Sequence, residues 1–357
     1  MNNMLASIHL NSDKPKHLEK LFNSFEAKAE DPTNFEMIVN IDNEDAITKK
    51  YLDSQILKRK FNLRYIREHE GDYFSGHLNA NKILKDTHES VYFIANISDR
   101  AIVLTDNWDS ILKQYEHKFA DNLFRVNCSS FKNRSYSDFW ECAFAPSNVF
   151  FVTKKFLDLT KNWTPCFSHD AFQQCVMYYL EKHDPFNSVQ INRDIADNCL
   201  NFSGQKPKEK NDDENYQRIH GQLKMWNILI SPKTQKEAKR RAMIIKANII
   251  YYDKYNLVYS DEYSPYKIYD DNKNNICIRD NSNKKIIKYN YSVNSLKIII
   301  VNFYRKLSYL NYCGGGFYEN KQNNIFSLFW YLDFRYKRLR GIKDLYNKYS
   351  TIIFGDK

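Results

Sequence analysis

The amino-acid sequence predicts an α/β protein built on a mainly parallel sheet with helices on both faces. Three observations predict it. Short apolar runs alternate with segments of helical period over the first ~100 residues, the pattern of successive strand–helix crossovers. Ser90–Ile97 carries Val91, Tyr92, Phe93 and Ile94 in succession, as a strand buried on both faces requires. The runs end in polar or acidic residues (Asn11, Asp42 and Asp99), and ligands of such sheets bind beyond the carboxyl ends of the strands.

Met4–Leu10 is the first strand, and Asn11-Ser12-Asp13-Lys14-Pro15 supplies turn and cap residues, with Pro15 suited to a helix's first turn. A helix over Lys16–Lys28 follows, with Leu18, Leu21, Phe22 and Phe25 at helical spacing. Phe35–Ile41 is the second strand, ending in Asp42-Asn43-Glu44-Asp45, and a helix near Ala46–Lys58 leads to strand Asn62–Arg67. Gly71–Gly76 reads as a loop and Leu78–Lys85 as a helix, after which the buried strand closes at Ser98-Asp99-Arg100. A helix near Trp108–Lys118 precedes strands around Phe124–Asn127 and Ala143–Thr153 and a helix from His169-Asp170 to Leu180. Residues 201–218 are polar and turn-rich and read as a mobile loop. From Ser231-Pro232 a basic helix runs toward Tyr251, Asp270–Lys285 reads as a polar linker, and Val293–Leu310 and Phe326–Tyr346 read as aromatic, basic helices. The chain thus divides into a domain over residues 1–230 and a basic, aromatic-rich, largely helical extension over 231–357.

Charge follows the same division. Residues 1–230 carry 29 basic and 32 acidic side chains, residues 231–357 carry 24 and 11, and the net excess of +10 belongs to the extension. A basic region suits nucleic acid, an anionic membrane surface or a phosphorylated substrate. The seven cysteines include no C-x-x-C pair, so neither a zinc site nor a disulfide framework is expected and a reducing compartment fits best. No leader-type segment opens the sequence and no run approaches the ~18 apolar residues of a membrane span. The expectation is a cytoplasmic protein, soluble or peripheral at the inner face of the cell membrane.

The segment Tyr92-Phe93-Ile94-Ala95-Asn96-Ile97-Ser98-Asp99-Arg100 followed by Trp108 resembles the acidic motif of GT-A-fold, family-2-like glycosyltransferases. There an apolar strand ends in a D-x-D-like or D-D-like pair. Here Ser98 stands at one acidic position and Arg100 where another acid is common. The resemblance covers residues 4–230 and implies a Rossmann-like GT-A sheet and an inverting sugar transfer from a UDP-sugar or GDP-sugar donor. It implies that Asp99 holds a Mg²⁺ or Mn²⁺ ion against the diphosphate, with His220 in Arg218-Ile219-His220-Gly221 completing the ion's shell. Ser98 and Arg100 would bind ribose and diphosphate, Asp42 the base, and Asn11 and Asn81 other parts of the donor. Asp170 in Phe167-Ser168-His169-Asp170 would take the acceptor's proton, with His169 as the alternative base.

Each of these residues also has a structural reading. Asp99 can cap the following turn, Asp42 and Asp170 can cap helices, and a lone His220 can be structural. The expected acceptor is a cell-surface glycan or glycolipid, and Phe326–Arg340 suits an interfacial helix on an anionic bilayer. The competing reading is a non-catalytic nucleic-acid-binding or membrane-binding protein that uses the basic aromatic extension. It matches no known nucleic-acid module. The first loop lacks the glycines of a pyrophosphorylase or dehydrogenase, and no G-x-S-x-G elbow is present.

Overall fold

The computed structural model describes residues 4–69, 76–128, 149–166, 169–181, 193–197, 199–204, 228–255, 266–280, 285–296 and 298–299. The chain forms two compact units, Met1–Lys210 with Pro232–Val293, and Asn211–Ser231 with Asn294–Lys357. In the second, Ser231 N–H closes a turn on Ile228 O at 3.2 Å and Ile298 N–H bonds to Asn294 O at 3.1 Å.

The first unit opens with β1 (Ala6–Asn11), α1 (Pro15–Lys28), β2 (Phe35–Asp42), α2 (Ala46–Gln55), β3 (Asn62–His69), α3 (Gly76–Ile83) and β4 (Phe93–Asn96). It continues through β5 (Ala101–Val103), α4 (Trp108–Lys113), β6 (Arg125–Asn127), β7 (Phe150–Thr153), α5 (Lys154–Thr160), α6 (His169–Glu181), β8 (Asp194–Ala196) and β9 (Phe202–Gly204). The main sheet runs β3-β2-β1-β4-β7-β6-β8. The β3/β2, β2/β1, β1/β4 and β6/β8 pairs are parallel, and β7 runs antiparallel to both β4 and β6. The expected α/β architecture with a mainly parallel sheet is therefore present. Between β1 and β4 the order of strand addition reverses, which opens a crevice at their carboxyl ends. That crevice lies between Asn11-Ser12 and Ile97-Ser98-Asp99.

Strand alternation sends successive side chains to opposite faces, and each face has its own cover. On one, Ala6, Ile8 and Leu10 pack with Phe35, Met37, Val39, Phe93 and Ala95 beneath Leu18, Leu21, Phe22 and Phe25 of α1 and Trp108 of α4. On the other, Ile94, Phe150 and Val152 meet Ala80 of α3, Leu157 of α5 and Trp163. Toward β1 and β2 this second face is polar. Ser7 Oγ donates to Glu36 Oε1 at 2.7 Å, Arg64 reaches Glu36 Oε2 at 2.6 Å, and His9 Nε2 lies 3.0 Å from both Ser7 Oγ and Thr87 Oγ1. Because Ser7 spends its hydrogen on the carboxylate, its oxygen accepts from His9 Nε2–H. Burial and nearby Arg64 push the His9 pKa down to about 3, so the ring is neutral.

Most expected elements recur, with shifted ends. The helix expected to Lys118 stops at Lys113, and His117 and Asn122 adopt left-handed backbone in the turns that follow. The helix expected from Leu78 begins at Gly76 and tightens into a 3₁₀ turn over Leu84–Asp86. Asp270–Lys285 is not a linker. After α7 (Pro232–Tyr255) the chain forms an antiparallel sheet of β10 (Tyr266–Asp270), β11 (Asn275–Asp280) and β12 (Lys285–Asn290). Asn272 and Asn274 take the left-handed conformation that Asn tolerates, while Asp271 Oδ1 accepts from Lys273 N–H and Asn275 N–H. Polar residues thus build the hairpin, which is why composition alone reads as a linker. Residues 300–357, including the expected Phe326–Tyr346 helix, lie outside the described residues.

Candidate active site

The chain leaves β1 at Asn11, whose register partner on β2 is Asn40, and Ser12 N–H bonds to Asn40 O at 3.3 Å. Ser12 Oγ then accepts from Lys14 N–H at 3.1 Å, which forms the turn that starts α1 at Pro15. Across the crevice Ile97 N–H bonds to His9 O at 2.9 Å, so β4 stays in register to its last residues and delivers Ser98, Asp99 and Arg100 beside this turn.

The three residues divide the work. Ser98 holds the turn, since its Oγ accepts from Arg100 N–H at 3.2 Å and its carbonyl from Ala101 N–H at 3.0 Å. Asp99 points across the crevice instead. Its Oδ2 accepts from Ser12 Oγ at 2.9 Å and lies 3.2 Å from His17 Nδ1, and its side chain is only 16% exposed. A carboxylate is acceptor-only, so His17 Nδ1 carries the proton in this contact. His17 belongs to the first turn of α1, where the helix dipole also favours a carboxylate. Asp99 is therefore a tie between the ends of β4 and β1 and the start of α1, and Ser98 supplies the local cap. Oδ1 meets the Ser98 hydroxyl at a longer 3.4 Å.

Arg100 is partly buried, and its guanidinium has no hydrogen-bond or ion-pair partner among the described residues. Its neighbour Ala101 pairs with Gly204 of the small β5/β9 sheet, the last described residue before 205–227. His220 lies in that segment, outside the described residues.

Asp42 ends β2 exposed, and its Oδ1 accepts from Glu44 N–H at 3.1 Å. The cap of α2 is Asp45, whose Oδ1 accepts from Thr48 N–H at 2.9 Å. The sequence allowed Asp42 to cap this helix; in the structure Asp45 does so and Asp42 stays at the strand end. Opposite it in register is His69, whose partial burial lowers its pKa while the charges of Asp42 and Asp13 act to raise it.

The second wall comes from α6. His169 is buried, and its Nε2 lies 3.0 Å from Asn96 Nδ2 and 3.3 Å from Asn96 O, which attaches the start of α6 to the last residue of β4. Asp170 follows on the partly exposed side, with Oδ1 accepting from Ala171 N–H at 2.8 Å. Two remote anchors hold α6 there. Asn81 of α3 donates to Thr164 O at 2.7 Å and accepts from Trp163 N–H and Thr164 N–H at 2.8 and 3.3 Å, fixing the segment that leads to His169. What Asn81 positions in this structure is that segment. At the other end, the fully buried Arg125 of β6 donates to Gln174 Oε1 at 2.8 Å and to both Asp194 oxygens, and lies over the Phe150 ring. Burial and the Asp194 charge push the nearby Glu181 carboxyl up to about 8.

Of the residues singled out from the sequence, Asn11, Ser98, Asp99 and Arg100 sit together at the crevice, Asp42 stands at the adjacent strand end, and Asp170 follows the residue tied to Asn96. Ser12, His17 and Asn96 belong to the same group and were not assigned from sequence. Their signal is positional, since each lies within six residues of a strand end already recognised.

The expected Mg²⁺ or Mn²⁺ ion finds a poor set of described ligands. Asp99 brings one carboxylate with Oδ2 already serving two partners, the adjacent positions are a hydroxyl and a guanidinium, and a guanidinium repels a cation. Among the described residues no group of three or more His, Cys, Asp or Glu side chains could hold a metal.

No family model matches the sequence, and no curated protein matches it. Solved structures do. A mannosyltransferase from Pyrobaculum calidifontis, in complex with GDP-Man and Mn2+, is 10% identical with a TM-score of 0.43, over 72% of this chain and 77% of that one. S. aureus TarS 1-349 in complex with UDP-GlcNAc is 12% identical with a TM-score of 0.41, over 72% and 77% of the two chains. A longer TarS structure gives 12% identity and a TM-score of 0.39, over 79% and 60%. These are likenesses of fold.

Proposed function

We propose that the chain is a glycosyltransferase of the GT-A, family-2-like kind, moving a sugar from a UDP-sugar or GDP-sugar to a cell-surface glycan or lipid-linked acceptor with inversion. The observation that carries this reading is the convergence at one crevice. The ends of β1 and β4 meet through Ser12, His17 and Asp99, while Asn96 brings His169, and with it Asp170, to the same strand end. A donor site needs counter-charge for a diphosphate and polar groups for a nucleoside on one side, and a base for the acceptor hydroxyl on the other. Arg100 suits the diphosphate, Ser98 and Asn11 the ribose, and Asp42 the N–H groups of the base.

In this mechanism Asp170 removes the acceptor proton as the acceptor oxygen attacks the anomeric carbon, and the nucleoside diphosphate leaves on the opposite face. His169 positions the helix through Asn96. The basic excess of residues 231–357 supports an acceptor presented at an anionic membrane surface, with the enzyme peripheral at the cytoplasmic face.

A thermal-shift panel of nucleotide sugars tests the reading. A rise in Tm with one UDP- or GDP-sugar is expected. Absence of any such rise, together with salt-sensitive binding of oligonucleotides, would instead establish the nucleic-acid reading.

A further inference from the structure

We infer that the donor diphosphate is neutralised by Arg100 and not by a divalent cation, and that Asp99 serves as a positioning residue. This rests on the glycosyltransferase reading above and departs from the metal that the sequence resemblance implies. The first support is the use of Asp99. Oδ2 accepts from both Ser12 Oγ and His17 Nδ1, which joins the β1–α1 turn to the end of β4 and leaves a cation the Oδ1 side, where the Ser98 hydroxyl lies at 3.4 Å. The second is Arg100, a partly buried residue one position away whose guanidinium donors have no protein partner among the described residues.

A guanidinium with open donors has a bidentate anion as the partner its planar fork fits. Placed beside a metal ion it would be repelled. Placed beside a diphosphate it supplies charge and two parallel hydrogen bonds. Ser98 agrees with this division, since a hydroxyl that caps the Arg100 backbone fixes where that side chain starts.

Calorimetric titration of the full chain with UDP and with GDP, in EDTA and then in Mn²⁺, tests the inference. Binding of one nucleotide in EDTA, within about threefold of its Mn²⁺ value, is expected. Arg100→Ala should weaken diphosphate binding by about 10–100-fold while binding of the corresponding nucleoside holds. Asp99→Asn, which keeps an acceptor for Ser12 and His17, should weaken binding to the same extent in EDTA and in Mn²⁺. Binding that appears only with Mn²⁺ and is lost in Asp99→Asn overturns the inference and leaves the transferase reading standing. Binding of neither nucleotide under either condition overturns both.

Discussion

Glu181, at the end of α6, gives a pH dependence whose sign and size follow from its surroundings. Its carboxyl is raised from the ordinary 4.5 to about 8, first by burial and then by the Asp194 charge, with Arg125 opposing. Its Oε1 has no hydrogen-bond partner among the described residues. Below about pH 4.5 the group is protonated in both folded and unfolded chains and contributes nothing. Above that the unfolded chain ionises while the fold retains its proton, so stability falls as pH rises and levels off once the folded group ionises near 8. Each tenfold change in proton affinity is worth ~1.4 kcal/mol, which places the full loss at about 3–5 kcal/mol. Glu181→Gln keeps the shape and removes the titration. Urea denaturation at about pH 5 and about pH 9 should show the variant gaining about 3–5 kcal/mol on the wild type across that range. Parallel pH profiles for the two proteins would refute the assignment of a neutral, half-buried Glu181.

Asn81→Ala removes the partners of two backbone N–H groups and a carbonyl, and denaturant titration should show a loss of about 2–4 kcal/mol. Arg125→Ala leaves buried Asp194 without its guanidinium and should cost about 3–5 kcal/mol by the same assay, whereas an exposed-pair value under ~1 kcal/mol would show that water reaches the site. Asp170→Asn should lower sugar transfer by about 10²–10⁴-fold with donor affinity unchanged, and steady-state rates measured beside donor titrations separate the two.

Much of the fold is legible because its signals are local. Phe35–Ile41 and Ser90–Ile97 are apolar runs of strand length, and Leu18, Leu21, Phe22 and Phe25 repeat at helical spacing, so burial follows directly from period. The sheet's carboxyl end was legible too, because Asn11, Asp42 and Asp99 each interrupt an apolar run. What was not legible depends on contacts far apart in sequence. Asp99 reaches Ser12 and His17 across 87 and 82 positions, and no local pattern distinguishes that tie from a turn cap. Asn81 looks like a solvated helix residue until the Trp163 and Thr164 backbone is packed beside it. Likewise the β10–β12 sheet is hidden in a polar segment, since Asp271 and the left-handed Asn residues form its turn chemistry and only Ile276, Cys277 and Ile278 mark the buried strand.

The central claim is that the crevice between the ends of β1 and β4 holds a nucleoside diphosphate joined to a sugar. Incubating the full chain with UDP-sugars and GDP-sugars, and measuring the free nucleoside diphosphate released with time, tests it most directly. The account predicts release from one nucleotide class, slowed at least about tenfold by Arg100→Ala. No release from any donor, by a folded protein that also fails to bind UDP or GDP, would contradict it.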